Sequence, residues 1–156
     1  MTYKEWRDKR QAEFNALPIF FAFNNEQFKR EMEKRGLTEE DTDKIYKFGN
    51  NCFYLREDAD KIREFVLDDS HNGELERLMQ DEEFAIDAFI YEMSNHEYSI
   101  NWQGDFDVCN ALCKKEPEYD DSKTYKDYLR EDHHEEWIPL FEKAKKLYYK
   151  KENENE

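Results

Sequence analysis

Hydrophobic residues recur at helical spacing along most of this chain and crowd together only in a few short runs. Tyr3, Trp6, Phe14 and Leu17 alternate with charges from Thr2 onward, which predicts a helix that Pro18 ends. Ile19-Phe20-Phe21-Ala22-Phe23 then reads as a short buried strand. Asn24-Asn25-Glu26-Gln27 has the form of a capping box, with Asn24 as cap and Gln27 reaching back. The helix it opens is expected to stop at Gly36. Thr38-Glu39-Glu40-Asp41 gives the same opening signal for another short helix, closed by Gly49. Asn50-Asn51 leads into a second strand, Cys52-Phe53-Tyr54-Leu55. Asp58 is the expected cap of the next helix, with Ile62, Phe65 and Val66 on its buried side. The stretch from Asp68 to Gly73 carries turn chemistry, and Leu75, Leu78 and Met79 mark a further amphipathic turn or two.

The most apolar helix is predicted over Asp81–Ser94. Apolar side chains from Phe84 to Met93 cover most of its circumference, so it is expected at the centre, with Glu83 and Asp87 on its exposed edge. Asn95 to Trp102 alternates like a strand, and Gly104 turns the chain into a short helix with Val108, Leu112 and Cys113 inward. Lys114 to Ser122 reads as a linker. Tyr125, Tyr128 and Leu129 begin a last helical region that Pro139 kinks or restarts, because proline lacks the amide a continuing helix needs. Trp137, Leu140, Phe141, Ala144, Leu147 and Tyr148 form an apolar stripe there. The expected architecture is helix-rich α+β, a single domain with a small sheet of two or three short strands. Residues 1–113 would form a compact body, 114–123 a linker, 124–150 a C-terminal helical extension and 151–156 a flexible tail.

Composition sharpens this picture. The 156 residues include 39 acids and 24 bases, a formal net charge of −15, and 40% are charged. Twelve Phe, ten Tyr and three Trp argue against wholesale disorder, which such a polar chain would otherwise suggest. The longest apolar run, Leu17–Phe23, is too short by more than half to span a bilayer. The first residues show no signal-peptide core, and the three cysteines, an odd number, point to a reducing cytoplasm rather than a disulfide framework. The charge is also segregated. Residues 1–63 balance 13 acids with 13 bases, whereas residues 64–121 hold 17 acids against Arg77, Lys114 and Lys115. That stretch disfavours contact with a phosphate backbone and suits a basic partner.

Little catalytic chemistry stands out. Cys109 and Cys113 share a helical face, but no second Cys or His pair completes a structural zinc set, so both read as core residues, as does Cys52. Glu92, His96, Asp105 and Asp107 could make an oxygen-and-imidazole metal site. The plainer reading has Asn95 and His96 tying the end of the central helix to the segment that follows. His133 and His134 point about 100° apart on a helix and cannot chelate one ion, so a solvated face is expected. The chain has no nucleophile elbow, P-loop or dinucleotide fingerprint.

The acidic segment carries the remaining signal. Acids one helical turn apart are separated by roughly 6 Å, near the scale of phosphate spacing on a nucleic-acid strand. Asp68, Asp69, Glu76, Glu83, Asp87, Glu116, Glu118, Asp120 and Asp121 are the candidate partner-binding acids. Tyr119 is the aromatic candidate among them, and Tyr91, Tyr98, Trp102 and Phe106 are further possible anchors.

Phe20-Phe21-Ala22-Phe23-Asn24-Asn25-Glu26-Gln27-Phe28 and Tyr91-Glu92-Met93-Ser94-Asn95-His96-Glu97-Tyr98, with Asn101, Gln103-Gly104-Asp105 and Asp107-Val108, resemble a group of small acidic proteins. That group occurs in gut-type bacteria and their phages and mobile elements. The resemblance spans about residues 17–113 and implies a setting rather than a mechanism, since the group has no established activity. In that setting the expected function is a non-enzymatic, cytoplasmic inhibitor of anti-CRISPR or anti-restriction type. It would need no cofactor or metal and would occlude a basic nucleic-acid-binding protein such as a nuclease, acting in the host cytoplasm if phage-encoded. A structural or regulatory module acting through the C-terminal helix, with a second copy of the chain as one candidate partner in a homodimer, is the alternative, and a metal-dependent enzyme ranks last.

Overall fold

In the computed structural model, residues 1–67 and 70–155 are described, with side chains at 67 and 70–72 left aside. Among the described residues there are eight α-helices and three strands, a helix-rich α+β fold as the sequence predicts. The helices are α1 Tyr3–Asn15, α2 Asn25–Lys34, α3 Ala59–Leu67, α4 Ser70–Leu78, α5 Glu82–Asn95, α6 Gly104–Leu112, α7 Tyr125–Glu131 and α8 Ile138–Glu154. The strands are β1 Ile19–Phe21, β2 Ile45–Lys47 and β3 Cys52–Leu55. The chain divides into two compact units, one formed by Met1–Lys9 with Ser70–Glu156 and the other by Arg10–Asp69.

In the larger unit α5 is the central element. Its Ala85, Ala88, Phe89 and Met93 are fully enclosed, with Phe141 and Ala144 of α8, Val108 and Cys109 of α6, and Leu129 of α7. Phe89 meets Trp137 and Phe141 edge-on at centroid distances of 6.2 and 5.2 Å. The apolar stripe of α8 thus packs on α5 within the same unit, through Trp137, Phe141, Ala144 and Tyr148. Pro139 lies in the first turn of α8, where its missing amide costs nothing, so the helix restarts there after a 3-10 turn over Glu135–Trp137.

The smaller unit holds an antiparallel sheet in the order β1-β3-β2. Phe20, Met32 and Ile45 form its core, with Phe28, Leu37, Phe53 and Leu55 packed around them. Asn24 caps α2 by accepting the Gln27 N–H at 2.9 Å, while the Gln27 side chain reaches one residue further than expected, to the Phe23 N–H.

Three expected elements differ. The helix expected from Thr38 to Gly49 is a single 3-10 turn at Thr42–Lys44 followed by β2. Asp41 turns back onto Thr38 and closes the turn, after which Ile45 and Tyr46 favour the extended state. The Phe48 N–H then meets the Cys52 carbonyl at 2.7 Å across a hairpin whose Gly49 and Asn51 have positive φ. The strand expected over Asn95–Trp102 is a series of turns, because Tyr98, Ile100, Asn101 and Gly104 all donate their N–H to residues three to five earlier. Of the turn expected over Asp68–Gly73, Asp68 and Asp69 lie outside the described residues and Ser70–Gly73 begins α4. Val66, expected inward, is exposed; among the described side chains of α3 Ile62 is buried and Ala59 and Phe65 are partly covered.

Three helices end in the same way. The N–H of Leu37, Tyr98 and His134 donates to the carbonyl of Met32, Met93 and Leu129 respectively, five residues back. The residue before each has positive φ: Gly36 at 74°, Glu97 at 51° and His133 at 60°. This is the Schellman ending, which satisfies the last helical carbonyls and reverses the chain. Two of the three place a residue with a side chain where glycine is the unstrained choice.

Candidate interaction surface

The candidate acids fall into distinct positions in the larger unit. Glu83 and Asp87 lie one turn apart on the exposed edge of α5, as expected, but only Glu83 is free of internal bonds among the described residues. Asp87 accepts the Tyr3 N–H at 2.9 Å and so anchors the start of α1. Glu76, on α4, is half-buried against His134. Glu116, Glu118, Asp120 and Asp121 are exposed in the segment between α6 and α7. Asp120 accepts both the N–H and the hydroxyl of Ser122, which holds its carboxyl below the usual range. Glu116, Glu118 and Asp121 meet no cation among the described residues. Asp68 and Asp69 lie outside the described residues.

The segment bearing these acids is tied down although it has no helix or strand. Asp132 accepts the N–H groups of Lys114 and Lys115 at 3.1 and 2.9 Å, and the Tyr128 hydroxyl donates to the Asp120 carbonyl at 2.9 Å. Tyr119, 40% exposed, stands edge-on to Phe106 and to Trp102. Trp102 itself is 78% exposed. Tyr98, expected as a surface anchor, is buried instead. Its hydroxyl donates to Asp105, and burial followed by that carboxylate pushes its ionisation well above the ordinary phenol range.

Glu92, His96, Asp105 and Asp107, weighed as an alternative metal site, are engaged with one another or with other protein groups. Glu92, 1% exposed, accepts from the Tyr3 hydroxyl at 2.7 Å and from Arg7 Nη1 at 2.6 Å on one oxygen. Its other oxygen faces Asn95 Nδ2 at 3.4 Å and His96 Nε2 at 3.3 Å. Asp105 takes the Tyr98 hydroxyl and the Tyr125 N–H, and Asp107 takes Asn101 Nδ2. Among the described residues no group of three or more His, Cys, Asp or Glu side chains is placed to hold a metal ion. Cys109 is buried, with its pKa raised by the bond to the Cys113 thiol and by burial, while Cys113 is only half-buried.

His134 was missed by the sequence reading. It is 6% exposed rather than on a solvated face, stacked on Trp137 at 3.7 Å. Its Nδ1 faces Asp132 at 2.6 Å and its Nε2 faces Glu76 at 3.1 Å. The positive φ of His133 turns the chain inward at that point, and His133 alone stays exposed.

Among the described residues no helix is long and apolar enough to cross a membrane. Neither a curated protein nor a solved structure matches the chain. A family model does match, over residues 2–134, which takes in α1 to α7 and with them the aromatic and acidic surface just described; the chain belongs to DUF7659, a family of unknown function.

Proposed function

We propose that the protein is a non-enzymatic acidic interaction protein that binds and blocks a basic, nucleic-acid-handling protein such as a nuclease. The observation that carries this reading is the set of exposed carboxylates with no cation beside them. Glu83, Glu116, Glu118 and Asp121 are of this kind among the described residues, on a unit whose sequence has 25 acids against 14 bases. An unneutralised carboxylate is fully solvated when free and gains from a basic groove that ordinarily holds phosphate. Such a decoy needs no reacting group, and it associates fast and in a salt-sensitive way. An anti-CRISPR or anti-restriction factor of a phage or mobile element, acting in the cytoplasm of a gut-type bacterium, is the setting in which this activity is useful.

The test is capture from a bacterial lysate by the tagged protein and by a variant carrying Glu83→Lys, Glu116→Lys, Glu118→Lys and Asp121→Lys. The reading expects nucleic-acid-binding proteins on the wild type, released by competing DNA and missing from the variant. Identical retention on both proteins contradicts it.

One observation favours a second reading, a binding module that acts through its C-terminal helix. Leu147 and Tyr149 of α8 are 44% and 37% exposed beside Lys146 and Lys150, away from the stripe that packs on α5. Under that reading a Leu147→Ser, Tyr149→Ser variant loses the captured partner while the acidic variant keeps it.

A further inference from the structure

The loop joining α5 to α6 is fixed from several directions. The Asn101 side chain donates to the His96 carbonyl at 2.9 Å and to Asp107 at 2.8 Å, and accepts the Gln103 N–H at 2.9 Å. The Ser99 N–H donates to the Tyr148 hydroxyl at 3.2 Å, and the Tyr98 ring fills the space in front of Gly104. Between these fixed points Ile100 and Trp102 are 79% and 78% exposed. Two large apolar side chains held in water on a rigid backbone are the composition and the preorganisation of a binding anchor.

Trp102 is also supported laterally. It stands edge-on to Tyr119 at 5.8 Å, Tyr119 to Phe106 at 5.4 Å, and Phe106 to the buried Tyr128 at 5.8 Å, a ladder of rings from surface to core. The surroundings are acidic. Glu97, Glu116, Glu118 and Asp121 are exposed nearby in the chain, and the Tyr119 hydroxyl has its pKa raised, first by burial and then by Asp121 and other neighbours including Asp120. Lys114 and Lys115 are exposed at the start of the same segment; Lys123, the next cation after Asp121, is paired with Glu131 at 2.7 Å, and Lys145 lies over the rings of Tyr98 and Tyr125.

We propose that Trp102 and Ile100 insert into an apolar pocket on a partner protein, and that lysines and arginines around this pocket meet the acids beside Tyr119. This rests on the acidic-surface reading and adds what that reading lacks, a contact that sets how long the complex lasts. The charges govern encounter and salt dependence, and the indole governs dissociation.

Trp6 and Trp137 are buried, so the solvent-sensitive part of the tryptophan emission comes from Trp102. The probes are two synthetic peptides of equal length, one alternating arginine with leucine and one alternating arginine with serine. The proposal expects the arginine–leucine peptide to shift the wild-type emission to the blue and to bind about tenfold more tightly than the other. It expects Trp102→Ala to bind both peptides with the same weak affinity while melting at the wild-type temperature. Equal binding of the two peptides by the wild type, unchanged in Trp102→Ala, overturns the anchor and leaves the acidic reading standing. Binding of neither peptide at low salt overturns both. Concentration-dependent self-association in sedimentation, abolished by Trp102→Ala, overturns the proposed partner in favour of a second copy of the chain.

Discussion

The ring of Tyr98 occupies the place a side chain on Gly104 would need: a Cβ there would meet Tyr98 Cδ2 at 2.7 Å. The same ring sends its hydroxyl to Asp105, one residue beyond that glycine. Glycine is therefore required at the start of α6 by close approach, since its φ is not in the left-handed region. Gly104→Ala must push the Tyr98 ring away or shift the loop that displays Trp102. A loss of about 1–3 kcal/mol in chemical denaturation is expected, with quenching of Trp102 by iodide altered in the folded state. An unchanged midpoint and unchanged quenching would show that the ring is not packed as described.

The Schellman endings give an opposite sign. Glu97 and His133 hold positive φ with a side chain, whereas Gly36 does so without strain. Glu97→Gly and His133→Gly are expected to stabilise the protein by about 0.5–1 kcal/mol each, the relief of left-handed strain exceeding the added freedom of the unfolded chain. Gly36→Ala is expected to lose a similar amount. Thermal melts of the three variants check this, and a fall in melting temperature for both Glu97→Gly and His133→Gly contradicts it.

Tyr3 and Glu92 are 89 positions apart in the chain, yet their buried hydrogen bond is 2.7 Å long. Tyr3→Phe removes one donor to an enclosed carboxylate that keeps Arg7, so about 1.5–3 kcal/mol is expected to be lost. Arg7→Leu, which removes the charge opposing Glu92, is expected to cost more, about 3–5 kcal/mol. Urea titrations compare the two. Equal, negligible losses would mean that Glu92 does not depend on α1.

High pH addresses the same phenols. Burial, followed by the Glu92 and Asp105 carboxylates, raises the pKa of Tyr3 and Tyr98 well above the ordinary value, and burial with Glu142 pushes Tyr125 up to about 12. A folded-state value above the unfolded one favours the neutral phenol. Its stabilisation is complete below about pH 10, where the unfolded phenol titrates, and is lost as pH rises through the folded-state value. Stability is thus expected to fall above about pH 10, with the phenolate absorbance of these residues appearing together with unfolding. Full phenolate absorbance in a protein that still shows native circular dichroism would contradict this.

Much of the fold is legible in local sequence because its signals are local. The capping residue Asn24, the stop at Gly36 and the dense apolar cover of α5 act within a few residues of where they stand. What fails is decided by partners distant in sequence or by backbone that the residue type disguises. Alternation from Asn95 to Trp102 suggests a strand, but among the described residues no strand pairs with it, and Glu97 adopts the conformation a glycine would have announced. His134 reads as a surface residue until His133 turns the chain and brings it to Asp132, Glu76 and Trp137. The candidate acids could be named from composition, but the sequence does not separate Asp87, Glu76 and Asp120, which hold the protein together, from Glu83, Glu116, Glu118 and Asp121, which do not. Trp102 could be named as a candidate anchor from its residue type, but the strand expected over Asn95–Trp102 hid how exposed it stands, on turns that bury neither it nor Ile100.

The most direct test of the acidic-surface account is the affinity for the captured partner, measured over rising salt and with double-stranded DNA as competitor. The wild type and the Glu83→Lys, Glu116→Lys, Glu118→Lys, Asp121→Lys variant are compared. The account predicts that wild-type affinity falls steadily with the logarithm of salt, that DNA displaces the protein, and that the variant binds weakly with little salt dependence. Salt-independent binding that DNA does not disturb, equal in the two proteins, would contradict it.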